Sequence, residues 1–140
     1  MLTLRKKGYI MGYTHYWKKI NDVTEEHVDV INRIINLYEA ESGKKIVNGL
    51  REKGTQPELS TELIAFNGEG EEGCETLYIE PGKKSFDCCK TKHLKYDKVV
   101  SAVLLYLEQQ GVIKDLDSDG DMESSDKWHI AKALINRALA

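Results

Sequence analysis

The sequence predicts an α+β fold, and two observations support this prediction. Apolar residues recur at helical spacing in three segments, near residues 28–38, 99–107 and 128–138. Short apolar segments bounded by glycine, proline or polar turns lie before and between them, which is typical of strands. The chain of 140 residues, 41% of them hydrophobic, is long enough for one domain with a substantial core.

The first half of the chain predicts a strand, a helix and a second strand. Residues 13–19 alternate between the two faces of a strand. Thr24 is placed to cap a helix that Gly43 ends. Residues 44–60 contain two glycines and a proline and predict a short helical piece and a loop. Residues 63–67 predict a strand that enters a glycine-rich turn.

The second half continues with strands at residues 75–80 and 86–89, the first of them the antiparallel return of strand 63–67. Asp97 is placed to cap a helix that runs through Gln110, and residues 112–116 predict the last strand. Ser124 or Ser125 would cap a final helix. A β-α-β-β-α-β order is that of the ferredoxin-like plan, so we expect one antiparallel sheet with both helices on one face and an added C-terminal helix.

Composition narrows the classes of partner. The net charge is −3 and the lysines and arginines are scattered, which argues against a protein that binds duplex nucleic acid through its phosphates. No apolar stretch approaches the roughly 20 residues of a membrane span, so we expect no membrane partner. The three cysteines are an odd number, and without a signal-peptide pattern they predict reduced thiols in the cytoplasm of a bacterial cell.

The N-terminal residues bear on the origin of the gene. Lys6-Lys7-Gly8 requires purine-rich codons and ends two codons before Met11, as a translated ribosome-binding site would. This spacing predicts that residues 1–10 are an upstream extension and that residues 11–140 form a single α+β domain. An ordinary irregular N-terminus is the alternative.

The run Met11-Gly12-Tyr13-Thr14-His15-Tyr16-Trp17 is the most distinctive part of the chain. Four further pieces follow it in order: Phe66-Asn67-Gly68, Glu75-Thr76, Phe86-Asp87 with Cys89-Lys90-Thr91 and Tyr96-Asp97, and Ser118-Asp119-Gly120 before Trp128. Together they resemble a family of small uncharacterised phage and prophage proteins. The chain departs from that pattern at Cys88, where an aromatic residue is usual, and at Lys95, where proline is usual. The resemblance implies a phage-related origin and supplies no activity.

Polar residues at the ends of the predicted strands suggest a ligand site. Strand ends and helix N-termini bring backbone amides and short polar side chains together. The first strand would add an imidazole and two aromatic rings. The alternative is that these residues cap helices, form turns and fill the core. The candidate ligand-binding residues are Tyr13, His15, Trp17, Asn67, Lys90, Thr91 and Asp119.

An acidic run near the C-terminus has the spacing of a calcium loop. Counted from the first aspartate, carboxylates fall at the ligand positions and a glycine at the sixth. The last ligand would be a short aspartate, and an acidic loop that precedes a helix is the favoured interpretation, so we expect no cofactor. The weaker alternative is calcium held by Asp115, Asp117, Asp119, Asp121 and Asp126. Cys88, Cys89 and His93 are a weaker metal signal still, and a buried thiol pair is the simpler interpretation.

These features favour a non-enzymatic binding protein of phage origin. Its expected ligand is a small anionic molecule with a base, such as a nucleotide, and a phage would gain by sequestering a host immune signal of that kind. Two alternatives stay open. One is a small hydrolase or nuclease that uses His15 with Asp119. The other is a protein-interaction module that inhibits a host enzyme.

Overall fold

A computed structural model describes residues 13–119 and 126–140. The described residues confirm the α+β class, with seven strands and three α-helices. The strands are β1 (Thr14–Lys19), β2 (Ile46–Val47), β3 (Glu58–Leu59), β4 (Ile64–Gly68), β5 (Leu77–Ile79), β6 (Lys84–Lys90) and β7 (Ile113–Ser118). The helices are α1 (Glu25–Ser42), α2 (Asp97–Gln109) and α3 (Asp126–Leu139).

The strands form two sheets where the sequence predicted one. The first sheet has the order β6-β1-β7, with β1 antiparallel to both neighbours. In the second sheet β4 pairs with β2, β3 and β5. The predicted hairpin of β4 and β5 is present, but within the described residues it does not extend the first sheet.

The difference from the single predicted sheet arises in residues 44–60, which were expected to hold a short helical piece. They instead supply β2 and β3, which pair with opposite ends of β4. With β5 also paired to it, β4 satisfies its backbone groups within its own sheet.

The helix termini follow local chemistry. The Thr24 hydroxyl accepts from the His27 amide at 3.3 Å, and the Thr24 amide donates to His27 Nδ1 at 3.0 Å, which confirms the predicted N-cap. Gly43 ends α1 with a φ of 73°. Asp97 was predicted to cap α2, but Tyr96 occupies that position and Asp97 is the first helical residue. Its carboxylate binds residues of other elements instead. The predicted caps of α3, Ser124 and Ser125, lie outside the described residues.

The core packs the three helices against both sheets, since its cluster includes Trp17 of β1 and Phe66 of β4. Strand alternation directs His15 and Trp17 of β1 to the inner face of the first sheet, with Cys89 of β6 beside them. Tyr16 and Phe86 lie on the opposite, outer face, where their ring centroids are 6.1 Å apart. In the described parts of the chain, no helix has the length and apolar character needed to cross a membrane.

Candidate functional site

A cluster of five polar side chains is buried where β1, β7 and the start of α2 meet. Its members are each at most 5% exposed. They come from four parts of the chain that are far apart in sequence. We refer to them as the Asp97 cluster: His15, Thr91, Asp97, Ser101 and Ser118.

His15 is the fully buried link between two of its members. Its Nδ1 lies 2.6 Å from Ser118 Oγ and its Nε2 lies 2.7 Å from Asp97 Oδ1. Because a carboxylate can only accept, His15 donates from Nε2 to Asp97. Nδ1 of the neutral ring then accepts from the Ser118 hydroxyl. The register explains the placement, since Ser118 is the β7 residue directly opposite His15.

Asp97 accepts hydrogen bonds at both carboxylate oxygens. The Thr91 hydroxyl donates to Oδ1 at 2.6 Å, beside the His15 bond. The Ser101 hydroxyl, one helical turn along α2, lies 3.3 Å from Oδ2, and the Lys127 ammonium donates to the same oxygen. A buried carboxylate is tolerated only with such partners, and here four surround it.

The electrostatic balance keeps Asp97 ionised. Burial alone would raise the pKa of this carboxyl group. The hydrogen bonds from His15 and Lys127, together with the charge of Lys127, outweigh burial and hold the pKa of Asp97 well below its usual range. The cluster therefore contains a carboxylate compensated by an ammonium, with a histidine between that carboxylate and a serine hydroxyl.

Tyr13 and His93 cover this cluster. The two rings stack with centroids 3.7 Å apart, and the Tyr13 ring meets His15 edge-on at 5.2 Å. Lys127 Nζ lies 4.0 Å from the centre of the Tyr13 ring. Burial raises the pKa of Tyr13 to about 12, so its phenol stays protonated at neutral pH. Burial and the adjacent Lys127 charge lower the pKa of His93.

The turn that carries His93 has an unusual backbone. Lys92 and His93 have φ values of 56° and 59°, so two consecutive residues with side chains adopt the left-handed region. Such conformations cost free energy and persist where surrounding contacts enforce them, often at functional sites. Here the Lys92 amide donates to the Tyr13 carbonyl at 3.3 Å, and His93 is fixed on the Tyr13 ring.

A cavity of about 280 Å³ opens beside the cluster. Four of its lining side chains are basic and two are apolar. Asp97 is its single acidic residue. We call it the basic cavity; its lining residues are His93, Leu94, Lys95, Asp97, Lys98, Lys127 and Ile130.

The structure brings three of the seven predicted ligand residues together. His15 and Thr91 belong to the Asp97 cluster and Tyr13 covers it. Trp17 shares the inner face of β1 but is only 2% exposed in the core, so its ring presents no open stacking face. None of the seven lines the basic cavity.

Lys90 and Asp119 lie towards the outer face of the first sheet. Lys90 is paired with Thr14, and strand alternation places both side chains on the face of the sheet away from His15. The Asp119 carboxylate accepts from the Thr14 amide at 3.2 Å and from the Tyr16 hydroxyl at 3.3 Å. The predicted pairing of His15 with Asp119 is therefore replaced by that of His15 with Asp97.

Asn67 belongs to the second sheet and organises the turn after β4. Its amide donates to the Cys74 carbonyl and to the Thr76 hydroxyl, both at 3.0 Å. Its side-chain oxygen accepts from the Gly68 and Cys74 amides at 2.8 and 3.1 Å. A side chain at Gly73 would collide with that oxygen. These bonds give Asn67, a residue of β4, a structural role in holding the turn that follows it.

The candidate metal ligands are spread over different elements. Asp115 and Asp117 belong to β7, Asp126 begins α3 and Asp121 lies outside the described residues. Cys89 is buried and Cys88 is exposed on the other face of β6. Within residues 13–119 and 126–140, no three histidine, cysteine or acidic side chains are grouped to hold a metal ion.

Sequence reasoning missed most participants in this site, and it expected Asp97 only as a helix cap. Ser101 lies one turn after Asp97 on an apolar helix, a spacing that signals a hydrogen bond along one helix face. Ser118 stands at a strand end beside Asp119 and was noticed only as part of a motif. Lys127 gave no signal, because its role depends on how α3 packs against α2.

Comparisons with known proteins gave no match to a family model, to a curated protein or to a solved structure.

Proposed function

We propose that the protein binds a small anionic ligand in the basic cavity. The observation that carries this proposal is the charge of the lining, since Lys95, Lys98 and Lys127 surround one pocket. Lys95 and Lys98 form no ion pair with any described residue. Two ammonium groups on one rim favour an anion, and phosphate is the commonest anion that such groups bind.

The single carboxylate of the cavity does not oppose such a ligand. Asp97 is 3% exposed, and its charge is compensated by Lys127 and by the hydrogen bond from His15. The cavity also lies at the start of α2, where the helix dipole favours negative charge. Both features make the local field more positive than the net charge of −3 implies.

An aromatic surface is available for the planar part of a ligand. His93 is exposed and one of its faces is stacked on Tyr13, which holds the imidazole in place. A base could stack on the remaining face while its phosphate reaches Lys95 or Lys98. A nucleotide fits this combination of charge and stacking, and sequestration of a host immune nucleotide by a phage protein is the biological role we propose for it.

A protein-interaction role is the second candidate, and one surface favours it. Phe86 is 62% exposed and packs on Tyr16 on the outer face of the first sheet. Exposed aromatic pairs occur at protein interfaces. We rank this role second because the outer face also carries the Lys18–Asp115 ion pair, which a partner would have to cover.

We also propose that the fold derives from the ferredoxin-like plan, and the strand order of the first sheet supports this. In that plan the first strand lies between the third and the fourth, as β1 lies between β6 and β7 here. The second sheet would then be an elaboration of the edge strand.

The test is a titration of the full chain with AMP and with inorganic pyrophosphate, followed by NMR at the His93 ring and the Lys98 amide. We expect both signals to move and the Kd for AMP to weaken about tenfold or more in the Lys95→Glu, Lys98→Glu double variant. Lys53→Glu, on an exposed turn away from the cavity, is the matched control. Equal binding by both variants, or no shift at His93, would contradict the proposal.

A further inference from the structure

We propose that Ser118 is a nucleophile, that His15 is its general base, and that the protein hydrolyses a carboxylic ester that carries an anionic group. The geometry that points to this activity is the continuous chain Ser118–His15–Asp97. The substrate class rests on the proposed function, because the basic cavity would hold the anionic group. The reactivity of Ser118 does not depend on that cavity.

The distances are those of an activated serine. A hydroxyl within 2.6–3.2 Å of a histidine, which a third group orients, is the general signature of nucleophilic catalysis. Here the two distances are 2.6 Å from Ser118 Oγ to His15 Nδ1 and 2.7 Å from His15 Nε2 to Asp97 Oδ1. The ring nitrogens are exchanged relative to the chymotrypsin arrangement, but either nitrogen of a neutral imidazole can accept the serine proton.

Asp97 is the positioning residue of this chain. Its carboxylate accepts a hydrogen bond from the Nε2–H group of His15. The proton therefore stays on Nε2, and the lone pair of Nδ1 is directed at Ser118. Thr91 and Ser101 fix the carboxylate from two sides, at 2.6 and 3.3 Å. The imidazole thus has one tautomer and one orientation before a substrate arrives.

Of the three residues Ser118, His15 and Asp97, the serine is the most exposed to solvent. His15 is 0% exposed, whereas Ser118 retains 5% at the end of β7. Tyr13 lies beside the same imidazole, since its ring meets that of His15 edge-on with centroids 5.2 Å apart. A protonated phenol in that position can donate to the oxyanion that forms when the hydroxyl attacks a carbonyl group.

The reaction balances with water as the only co-reactant. Ser118 Oγ bonds to the acyl carbon and its proton passes to His15 Nδ1. The imidazolium returns that proton to the alcohol oxygen as the ester C–O bond breaks, which leaves an acyl-serine. Water then attacks the acyl carbon with His15 as base. The imidazolium returns this proton to Ser118 Oγ as the acyl–serine bond breaks, which regenerates the Ser118 hydroxyl and releases a carboxylic acid.

The decisive experiment treats the full wild-type chain with an uncharged fluorophosphonate and locates the adduct by peptide mass spectrometry. We expect modification of Ser118, and labelling at least about 100-fold slower in His15→Asn. Ser118→Ala should lose the adduct, whereas Ser85→Ala, at an exposed serine of β6, should keep it. An unmodified Ser118 in folded wild-type protein, or equal labelling of His15→Asn, overturns the proposal.

Two further measurements test the positioning role of Asp97 separately from the binding of the anionic group. Nitrogen-15 NMR of histidine-labelled protein should show His15 protonated at Nε2, and Asp97→Asn should change that tautomer and slow the labelling. Mono-p-nitrophenyl succinate should be hydrolysed faster than p-nitrophenyl acetate, and Lys98→Glu should reduce that preference, whereas Lys53→Glu should keep it. Ser118 labelling without any preference for the anionic ester would retain the nucleophile and refute the substrate class.

Discussion

His15 Nε2 and Asp97 Oδ1 lie 2.7 Å apart although 82 residues separate them in the chain. Neither side chain has appreciable contact with solvent. The bond joins β1 to the first turn of α2, and Lys127 extends the connection to α3. A single carboxylate therefore links three elements of the fold, and we expect its loss to lower stability strongly.

Replacement of Asp97 should be strongly destabilising. Asp97→Ala leaves the histidine and two hydroxyl groups of the cluster without their common acceptor, and we expect a loss of about 3–5 kcal/mol in the free energy of unfolding. Urea unfolding followed by circular dichroism measures it. Asp115→Ala is the control, because Asp115 pairs with Lys18 at 3.2 Å on the surface. Its loss should be at most about 1 kcal/mol, and a comparable loss in the two variants would contradict the assigned role.

Stability should fall in acid through the same residue. The pKa of Asp97 in the folded state lies below the ordinary value of 3.8, so the unfolded chain binds more protons in that window. The contribution of Asp97 is therefore complete above about pH 5 and is lost as the pH falls through the depressed folded pKa. Denaturation curves between about pH 5 and pH 3 should show a shallower decline for Asp97→Asn than for wild type. Parallel declines would refute this source of acid sensitivity.

Trp17 should contribute through packing alone. It is 2% exposed, and its Nε1 has no acceptor among the described residues. Trp17→Ala should cost about 3–5 kcal/mol, whereas Trp17→Phe should cost clearly less because it also removes an unpaired buried donor. Thermal melts compare the two variants. Phe86→Ala, at a residue 62% exposed, provides the surface reference. Equal losses for Ala and Phe at position 17 would indicate that the indole N–H is needed.

Calcium should stabilise the fold little. Asp115 pairs with Lys18, and the Asp119 carboxylate accepts from the Thr14 amide and the Tyr16 hydroxyl, so these groups already have partners. A ligand at a hundred times its Kd would add about 2.7 kcal/mol if it bound only the native state. Scanning fluorimetry with calcium, and with magnesium as control, should show no rise in Tm that corresponds to such a stabilisation. A rise of several degrees specific to calcium would establish the acidic run as a metal site.

Local signals predicted the elements more reliably than their partners. Thr24 and Gly43 delimit α1 as expected, because a cap and a left-handed glycine act through their immediate neighbours. Strand pairing could not be predicted from residues 44–60, since two-residue strands carry almost no periodicity. The same difference between local signals and distant partners holds for the candidate site. His15 and Thr91 were expected, while the role of Lys127 depends on helix packing that no local pattern encodes.

The paired positions of His15 also specify how β1 is aligned between its neighbours. Cys89 and Ser118 face it on the two sides. A slip of β1 by one residue would turn His15 outward and place Thr14 or Tyr16 against Asp97. Neither can replace an imidazole that bonds both a carboxylate and a hydroxyl. Misaligned forms of the first sheet would therefore leave a buried charge incompletely solvated, and this penalty selects a single alignment of the strand during folding.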